Sequence, residues 1–221
     1  MDIHEAILKR HSVRQYLDKD IEEDKIKRIE SLIAEANEEA GLHIQLVVNE
    51  PKAFKSFLAH YGKFRGVKTY IVMAGKKDDT FDERCGYYGE KIVLEAQMMG
   101  LNTCWVALTY KKVPGVFTLN EGEKVNTVIT LGYGENQGEQ HKSRKITEVS
   151  DVTVDSPEWF KKGVDAALYA PTAVNQQKFY ITQFGDKAEI KPGRGPNVRT
   201  DLGIVRYHFE VGSGRGSDVW V

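Results

Sequence analysis

The sequence predicts a globular fold of mixed helices and strands, and three observations carry that expectation. Apolar residues recur at the 3.6-residue period among charges, most clearly at Ile26, Ile29, Ile33 and Ala36, which is the pattern of an amphipathic helix. Short apolar runs at 69–74, 103–108 and 127–131 have the length and composition of buried strands. The 221 residues are 41% hydrophobic and 10% aromatic, enough for one sizeable α/β core or two small coupled domains.

Taken in order, Asp2 and Glu5 have the spacing of an acidic capping pair, and Ile3, Ala6 and Ile7 share one helical face, so a short helix ends near Lys9. A second helix covers 20–40, and its Glu and Lys residues form a solvated face. A strand follows at 42–48. Pro51 opens a helix carrying Phe54, Phe57 and Leu58. After the strand at 69–74, a long helix runs from Asp82 to Met99 and stops at Gly100. The apolar runs 103–108 and 127–131 are the next strands. The segment 132–143, rich in Gly, Gln and charge, reads as a surface loop ending in a basic cluster. Ser156-Pro157-Glu158 supplies an N-cap, a first-turn proline and an acid for the helix dipole. Phe160, Gly163, Val164, Ala167 and Leu168 make that helix's packed face, and Ala170-Pro171 breaks it. A strand returns at 179–184, and 202–211 is helix or strand before the chain runs into glycines.

Charge and cysteine usage remove several classes of function. With 31 Lys+Arg against 32 Asp+Glu the net charge is −1, so no bulk basic field collects nucleic acid or anionic lipid. No stretch reaches the roughly 18 apolar residues of a membrane-spanning helix. The N-terminus MDIHEAILKR lacks the apolar region of a secretory signal, and a cytoplasmic protein is expected. Cys85 and Cys104 form no disulfide framework, and the six histidines show no metal-ligand spacing, so no metal is proposed. Cys104 sits in an apolar run and reads as a buried thiol, not a nucleophile. Gly193-Arg194-Gly195 and the glycines 212–216 lack the context of a dinucleotide fingerprint and read as flexible loops.

Three constellations could carry chemistry. Arg10-His11-Ser12-Val13-Arg14 places two guanidinium forks and a hydroxyl together, which suits a phosphate dianion or else a solvated charged turn. Lys142-Ser143-Arg144-Lys145 repeats that chemistry far along the chain, with an exposed basic run as its plainer reading. Pro171-Thr172-Ala173-Val174-Asn175-Gln176-Gln177 offers small residues followed by amides, which fit the heteroatom edge of a flat heterocycle or an ordinary polar loop.

In their order along the chain these three resemble the motifs of the nitroreductase-like flavoproteins. That family's R-x-S-x-R phosphate grip corresponds to Arg10, Ser12 and Arg14, with His11 between them. Its K-S-R-like run corresponds to Lys142, Ser143 and Arg144, and its P-S-x-x-N-x-Q ring loop to Pro171, Thr172, Asn175 and Gln177, with Ala173 and Gln176 inside it. The resemblance implies an α+β fold with a central sheet of antiparallel type flanked by helices. It further implies FMN as cofactor, Lys63 beside the flavin ring, and Trp105, Val106 and Ala107 passing along it. For Lys63 a solvated position, and for 105–107 an ordinary core strand, are the competing readings.

The family usually carries its ring loop early in the chain, where this sequence has Glu39-Ala40-Gly41-Leu42-His43. Here the loop lies beyond residue 170, preceded by its own helix and followed by its own strand. The expectation is two related halves, 1–150 and 151–221, that imitate the family homodimer within one monomeric chain and hold a single FMN. The implied activity is hydride transfer from NAD(P)H through FMN to a nitroaromatic, quinone or similar electron-poor ring. The alternative is a flavin- or small-ligand-binding protein without turnover, and no catalytic side chain is assigned.

Overall fold

The computed structural model describes residues 1–221, with the side chain of Leu58, one of the residues expected on the helix after Pro51, outside the described residues. By packing, the chain divides into two compact units. A sheet unit comprises Arg10–Phe81 and Ile92–Gln140, and a terminal unit comprises Met1–Lys9, Asp82–Lys91 and His141–Val221. This partition cuts the chain differently from a division at residue 150, because residues 82–91 pack with residues far beyond it.

In the sheet unit, β1 (Gln45–Val47), β2 (Thr69–Lys76), β3 (Asn102–Val106) and β4 (Glu123–Gly132) form one antiparallel sheet in the order β1-β2-β4-β3. Ile71 pairs with Ile129 and Val72 with Val128, and a bulge follows Met73. Tyr70, Val72, Val128, Cys104 and Val106 on one face are buried, as are Ile71, Ile129 and Leu131 on the other. A strand buried on both faces reads as a continuous apolar run, which is why 69–74 is conspicuous in the sequence. Each such side chain contributes about 1.5–3 kcal/mol by leaving water. The α2 helix (Glu23–Ala40) buries Ile29, Leu32, Ile33, Ala36 and Ala40 and stops at Gly41, whose φ of 59° completes a left-handed cap.

Several boundaries differ from the sequence expectation. The strand expected at 42–48 is confined to β1, with a single bridge from Leu42 to Gly75. The helix expected after Pro51 is a 3-10 turn, Lys52–Phe54, and a separate α3 (Phe57–Tyr61). The Glu50 carboxylate accepts the Lys52 and Ala53 N–H groups at 2.9 and 3.1 Å, which closes that first turn on itself. The run 103–108 leaves the sheet after Val106, and Leu108 is exposed. The strand expected at 127–131 starts earlier, at Glu123.

In the terminal unit, α1 (Ile3–Lys9) is capped as expected, with the Glu5 N–H donating to Asp2 Oδ1 at 2.8 Å. The long helix α4 (Phe81–Met98) supplies Asp82–Lys91 to this unit, and a short α5 (Ile146–Val149) follows the basic cluster. The α6 helix (Glu158–Ala167) begins after Pro157, whose carbonyl accepts the Phe160 and Lys161 N–H groups. Ser156 is not its side-chain cap: that hydroxyl instead accepts the Thr153 N–H at 3.0 Å. The strand β5 (Phe179–Phe184) pairs with β6 (Lys187–Pro192) through a two-residue Gly185-Asp186 turn. The segment 202–211 is helical, inside α7 (Val198–Ser213).

The α7 helix packs on α6 and on the first half of α4 through glycines. A Cβ at Gly203 would lie 2.0 Å from the Glu83 carbonyl oxygen, one at Gly86 would lie 2.0 Å from that of Thr200, and one at Gly212 would lie 2.3 Å from Ala166 Cβ. Gly212, expected in a flexible loop, is therefore a helix-packing residue. Phe160, Phe209 and Trp220 fill the remaining core, with Phe209 centred 5.9 Å and 4.8 Å from its two neighbours. Beneath them, fully buried His208 donates from Nδ1 to the Ala166 carbonyl at 3.2 Å, and its Nε2 lies 2.9 Å from Glu90 Oε1.

Candidate functional site

The basic turn at 10–14 is fixed by backbone bonds of the sheet unit. Val13 N–H donates to the Thr103 carbonyl at 3.0 Å, Arg65 N–H to that of Arg14 at 3.0 Å, and Tyr16 N–H to that of Arg65 at 2.9 Å. Beneath the turn, the buried Tyr16 hydroxyl donates to the Val13 carbonyl at 2.8 Å and lies 2.7 Å from Thr130 Oγ1. The loop after β4 is tied to the same turn. Asn102 accepts the Gly134 N–H at 2.9 Å and donates to Gln137 Oε1 at 3.0 Å, while His11 Nδ1 lies 3.2 Å from the Gln137 carbonyl.

Along this turn Arg10 is 3% exposed, His11 and Ser12 are half-buried, and Arg14 is exposed. The His11 Nε2 atom is buried with no hydrogen-bond partner. A buried polar atom in that condition costs free energy unless something pairs with it. Cys104, below Ser12, is an inert thiol. Burial pushes its pKa up, outweighing the opposing Arg14 charge, the Ser12 hydrogen bond and the Arg10 charge.

The other residues expected in this unit are dispersed in character. Lys63 is exposed and adopts φ 61°, a left-handed conformation held by its N–H bond to the His60 carbonyl at 2.9 Å. Val106 is a core residue at 3% exposure, while Trp105 and Ala107 are half-buried, the latter just past the end of β3.

The terminal unit brings together two elements that lie some 30 residues apart in sequence. Gln177, 3% exposed, accepts the Arg144 N–H at 2.8 Å through Oε1 and donates to the Lys142 carbonyl at 2.9 Å through Nε2. Asn175 donates to the same Lys142 carbonyl at 3.0 Å. Ser143 Oγ donates to the Leu168 carbonyl at 3.1 Å, at the C-terminal end of α6. The backbone of the basic run is thus tied to the amide loop, and the Lys142 and Arg144 side chains are exposed. All three amides expected to meet a heterocycle, Asn175, Gln176 and Gln177, are engaged with protein backbone.

The amide loop itself is strained. Val174, Asn175 and Gln177 have φ of 47°, 53° and 45°, and Val174 is 88% exposed. For a β-branched residue that conformation is an outlier, and such residues persist only where surrounding bonds over-determine them. The bonds are present. Thr172 Oγ1 accepts the Gln177 N–H at 3.0 Å, and Asp201 accepts both the Ala173 N–H at 2.9 Å and Gln176 Nε2 at 2.6 Å. Gln176 also donates to the Pro196 carbonyl at 2.7 Å. Pro171 and Thr172 are half-buried at the head of the loop.

Asp201 is a residue that sequence reasoning missed. It is 5% exposed, and burial raises its pKa to about 6 against the lowering effect of its two donors. Its signal in the sequence was faint: an acid in the first turn of a helix is usually a dipole partner at the surface.

Comparisons with known proteins place these features in context. A family model described as "Putative TM nitroreductase" matches residues 2–213. A "putative nitroreductase" from Thermotoga maritima is 27% identical, with a TM-score of 0.71 over 96% of this chain and 83% of that one. A Desulfovibrio desulfuricans nitroreductase-type structure solved in complex with FMN is 18% identical, with a TM-score of 0.52 over 71% of this chain and 98% of that one. One from Parabacteroides distasonis, described as an NADH dehydrogenase/NAD(P)H nitroreductase, is 21% identical, with a TM-score of 0.52 over 70% and 98%. The last two share the fold. Among curated proteins, none matches the chain.

Proposed function

Because the chain belongs to the TM nitroreductase family over residues 2–213, we propose that it is an FMN-dependent oxidoreductase drawing electrons from NAD(P)H. The observation that carries the reading is the family match together with the R-x-S-x-R turn at 10–14, held in place by backbone bonds to the sheet unit. A phosphate fits that donor set: Arg10 and Arg14 supply forked charged donors and Ser12 a short neutral one. Because backbone bonds fix the turn before any ligand arrives, its donors need little reordering on binding.

By the motif resemblance we propose, each within its own unit, Lys63, Trp105, Val106 and Ala107 of the sheet unit as flavin contacts, and, in the terminal unit, Lys142 and Arg144 as phosphate cations and Pro171, Thr172, Ala173, Asn175, Gln176 and Gln177 as the ring loop. Lys63 would hold its ammonium where reduction places negative charge, which favours the reduced state. The 171–177 loop would set the ring's position through a backbone held rigid by its own side chains. Bound FMN would supply the two-electron chemistry, accepting hydride from the nicotinamide and delivering it to a nitroaromatic, quinone or related acceptor. No side chain is required as acid or base. We further propose one FMN per monomeric chain, the arrangement expected if one chain stands in for the family homodimer.

The test is an absorbance spectrum of protein loaded with FMN and desalted, followed anaerobically by one equivalent of NADPH or NADH. A retained flavin band that bleaches is the expected result. A retained band that neither nucleotide bleaches would turn the reading toward a flavin-binding protein without turnover, and no band would remove FMN. Two equivalent flavins in a stable homodimer would overturn the single-chain arrangement.

A further inference from the structure

We propose that Asp201 is the positioning residue of the flavin-ring loop: its carboxylate holds Ala173 and Gln176, and so keeps the strained residues around them in the conformation that binds FMN. The inference rests on the flavin reading above and extends it to a residue outside the family motifs on which that reading rests.

The geometry is a clamp. Asp201 stands on the first turn of α7, and each of its oxygens takes one donor from the loop, Oδ1 from the Ala173 N–H and Oδ2 from Gln176 Nε2. Gln176 is also held by the Pro196 carbonyl, and Gly195 passes so close that a Cβ there would fall 2.1 Å from Gln176 Oε1. The Gly193-Arg194-Gly195 segment is therefore packed against the loop, and Lys178 reaches back to the Arg194 carbonyl at 2.7 Å. Between the two clamped residues and just beyond them lie Val174, Asn175 and Gln177, all at positive φ. A free loop would relax from that shape, since each such residue stores strain. Two charge-assisted bonds to a buried acceptor oppose the relaxation.

A carboxylate is required because it alone presents two acceptor oxygens to two donors. Asparagine offers one acceptor and turns an NH2 group toward the other donor. Protonation of Asp201 has a similar effect, since one oxygen becomes a hydroxyl. Ionisable groups on the neighbouring elements are Glu83 and Arg84 of α4, Arg199 on α7, and Lys178 and Arg194 beyond the loop. Arg199 is paired with Glu83 at 3.1 Å, and the raised pKa of Asp201 follows from burial, which outweighs the lowering by its two neutral donors.

The experiment compares FMN affinity of the full chain and of D201N by flavin fluorescence titration between pH 5 and 7.5. The FMN phosphate also titrates near pH 6, but it does so for both proteins and cancels in their ratio. At pH 7.5 the variant should bind about tenfold more weakly, the scale of one lost hydrogen bond to a charged acceptor. That ratio should shrink toward one as the pH falls through about 6, where the wild-type carboxylate takes up its proton. Equal binding at pH 7.5, or a deficit of the same size at every pH, overturns the proposal. Gly195→Ala attacks the clamp without touching the carboxylate and should weaken FMN while keeping the wild-type pH profile; wild-type affinity in that variant also counts against the clamp. Amide exchange at Ala173, measured without flavin, should quicken in D201N. If wild-type protein binds no FMN, the flavin reading has failed; if it binds and D201N matches it, only the role of Asp201 has.

Discussion

Replacing Gly203 by alanine tests the closest helix contact in the terminal unit. The new Cβ would stand 2.0 Å from the Glu83 carbonyl oxygen and 2.6 Å from the Tyr87 nitrogen, about 1.4 Å short of ordinary contact with the oxygen. Both are backbone atoms, so no side-chain rotation relieves the clash, and α7 must move away from α4. Alanine gains about 1 kcal/mol of helix propensity over glycine. Overpacking costs about 3 kcal/mol at the upper end of its usual range, which suits a clash with rigid backbone. The net loss of about 2 kcal/mol corresponds to a Tm lowered by about 4–8 °C in a chain of this size. Thermal unfolding followed by circular dichroism reads it directly. Gly86→Ala meets the Thr200 carbonyl oxygen at the same distance and should cost a similar amount. The double variant should lose less than the two singles combined, because helices already moved apart accept the second methyl. A rise in Tm for Gly203→Ala would mean that propensity outweighs packing, and the glycine contact would be refuted.

Val174→Asn should raise Tm by about 2–4 °C, because asparagine tolerates the left-handed backbone that costs an L-residue about 1–2 kcal/mol; a fall would show that the valine side chain is needed there. Glu22 is held down to about 2 by the Tyr133 hydroxyl hydrogen bond, its own backbone N–H and Lys19. Its folded pKa lies below its unfolded one, so its stabilisation is present above pH 4.5 and is lost as pH falls toward about 2. Urea midpoints of wild type and E22Q should therefore differ at pH 7 and converge across that window, and a pH-independent difference would dismiss the coupling.

What the sequence disclosed followed local pattern. Helix α2 was legible because Ile29, Ile33 and Ala36 repeat on one face, and β2 because both of its faces are apolar. Strand β6 was hidden by the lysines and glutamate around Ala188 and Ile190, although the Gly185-Asp186 pair carried the hairpin signal. Helix α7 was ambiguous because Gly203 and Gly212, placed for close approach, lower helix propensity. At the site, the three motifs were visible as residue types, but the partners of their amides were not. The bonds of Gln177 to residues 142 and 144, and of Asp201 to residues 173 and 176, span 25 to 35 positions, and no local periodicity encodes them.

The grip of Gln177 on the basic run reads only main-chain atoms, the Arg144 N–H and the Lys142 carbonyl. Shape and charge are therefore set separately in this stretch. The side chains at 142 and 144 can be exchanged for neutral or acidic ones while these main-chain bonds remain, so local charge can be changed on a constant scaffold. Gln177 has less latitude, because replacing it removes both the bond from the Arg144 N–H and the bond to the Lys142 carbonyl.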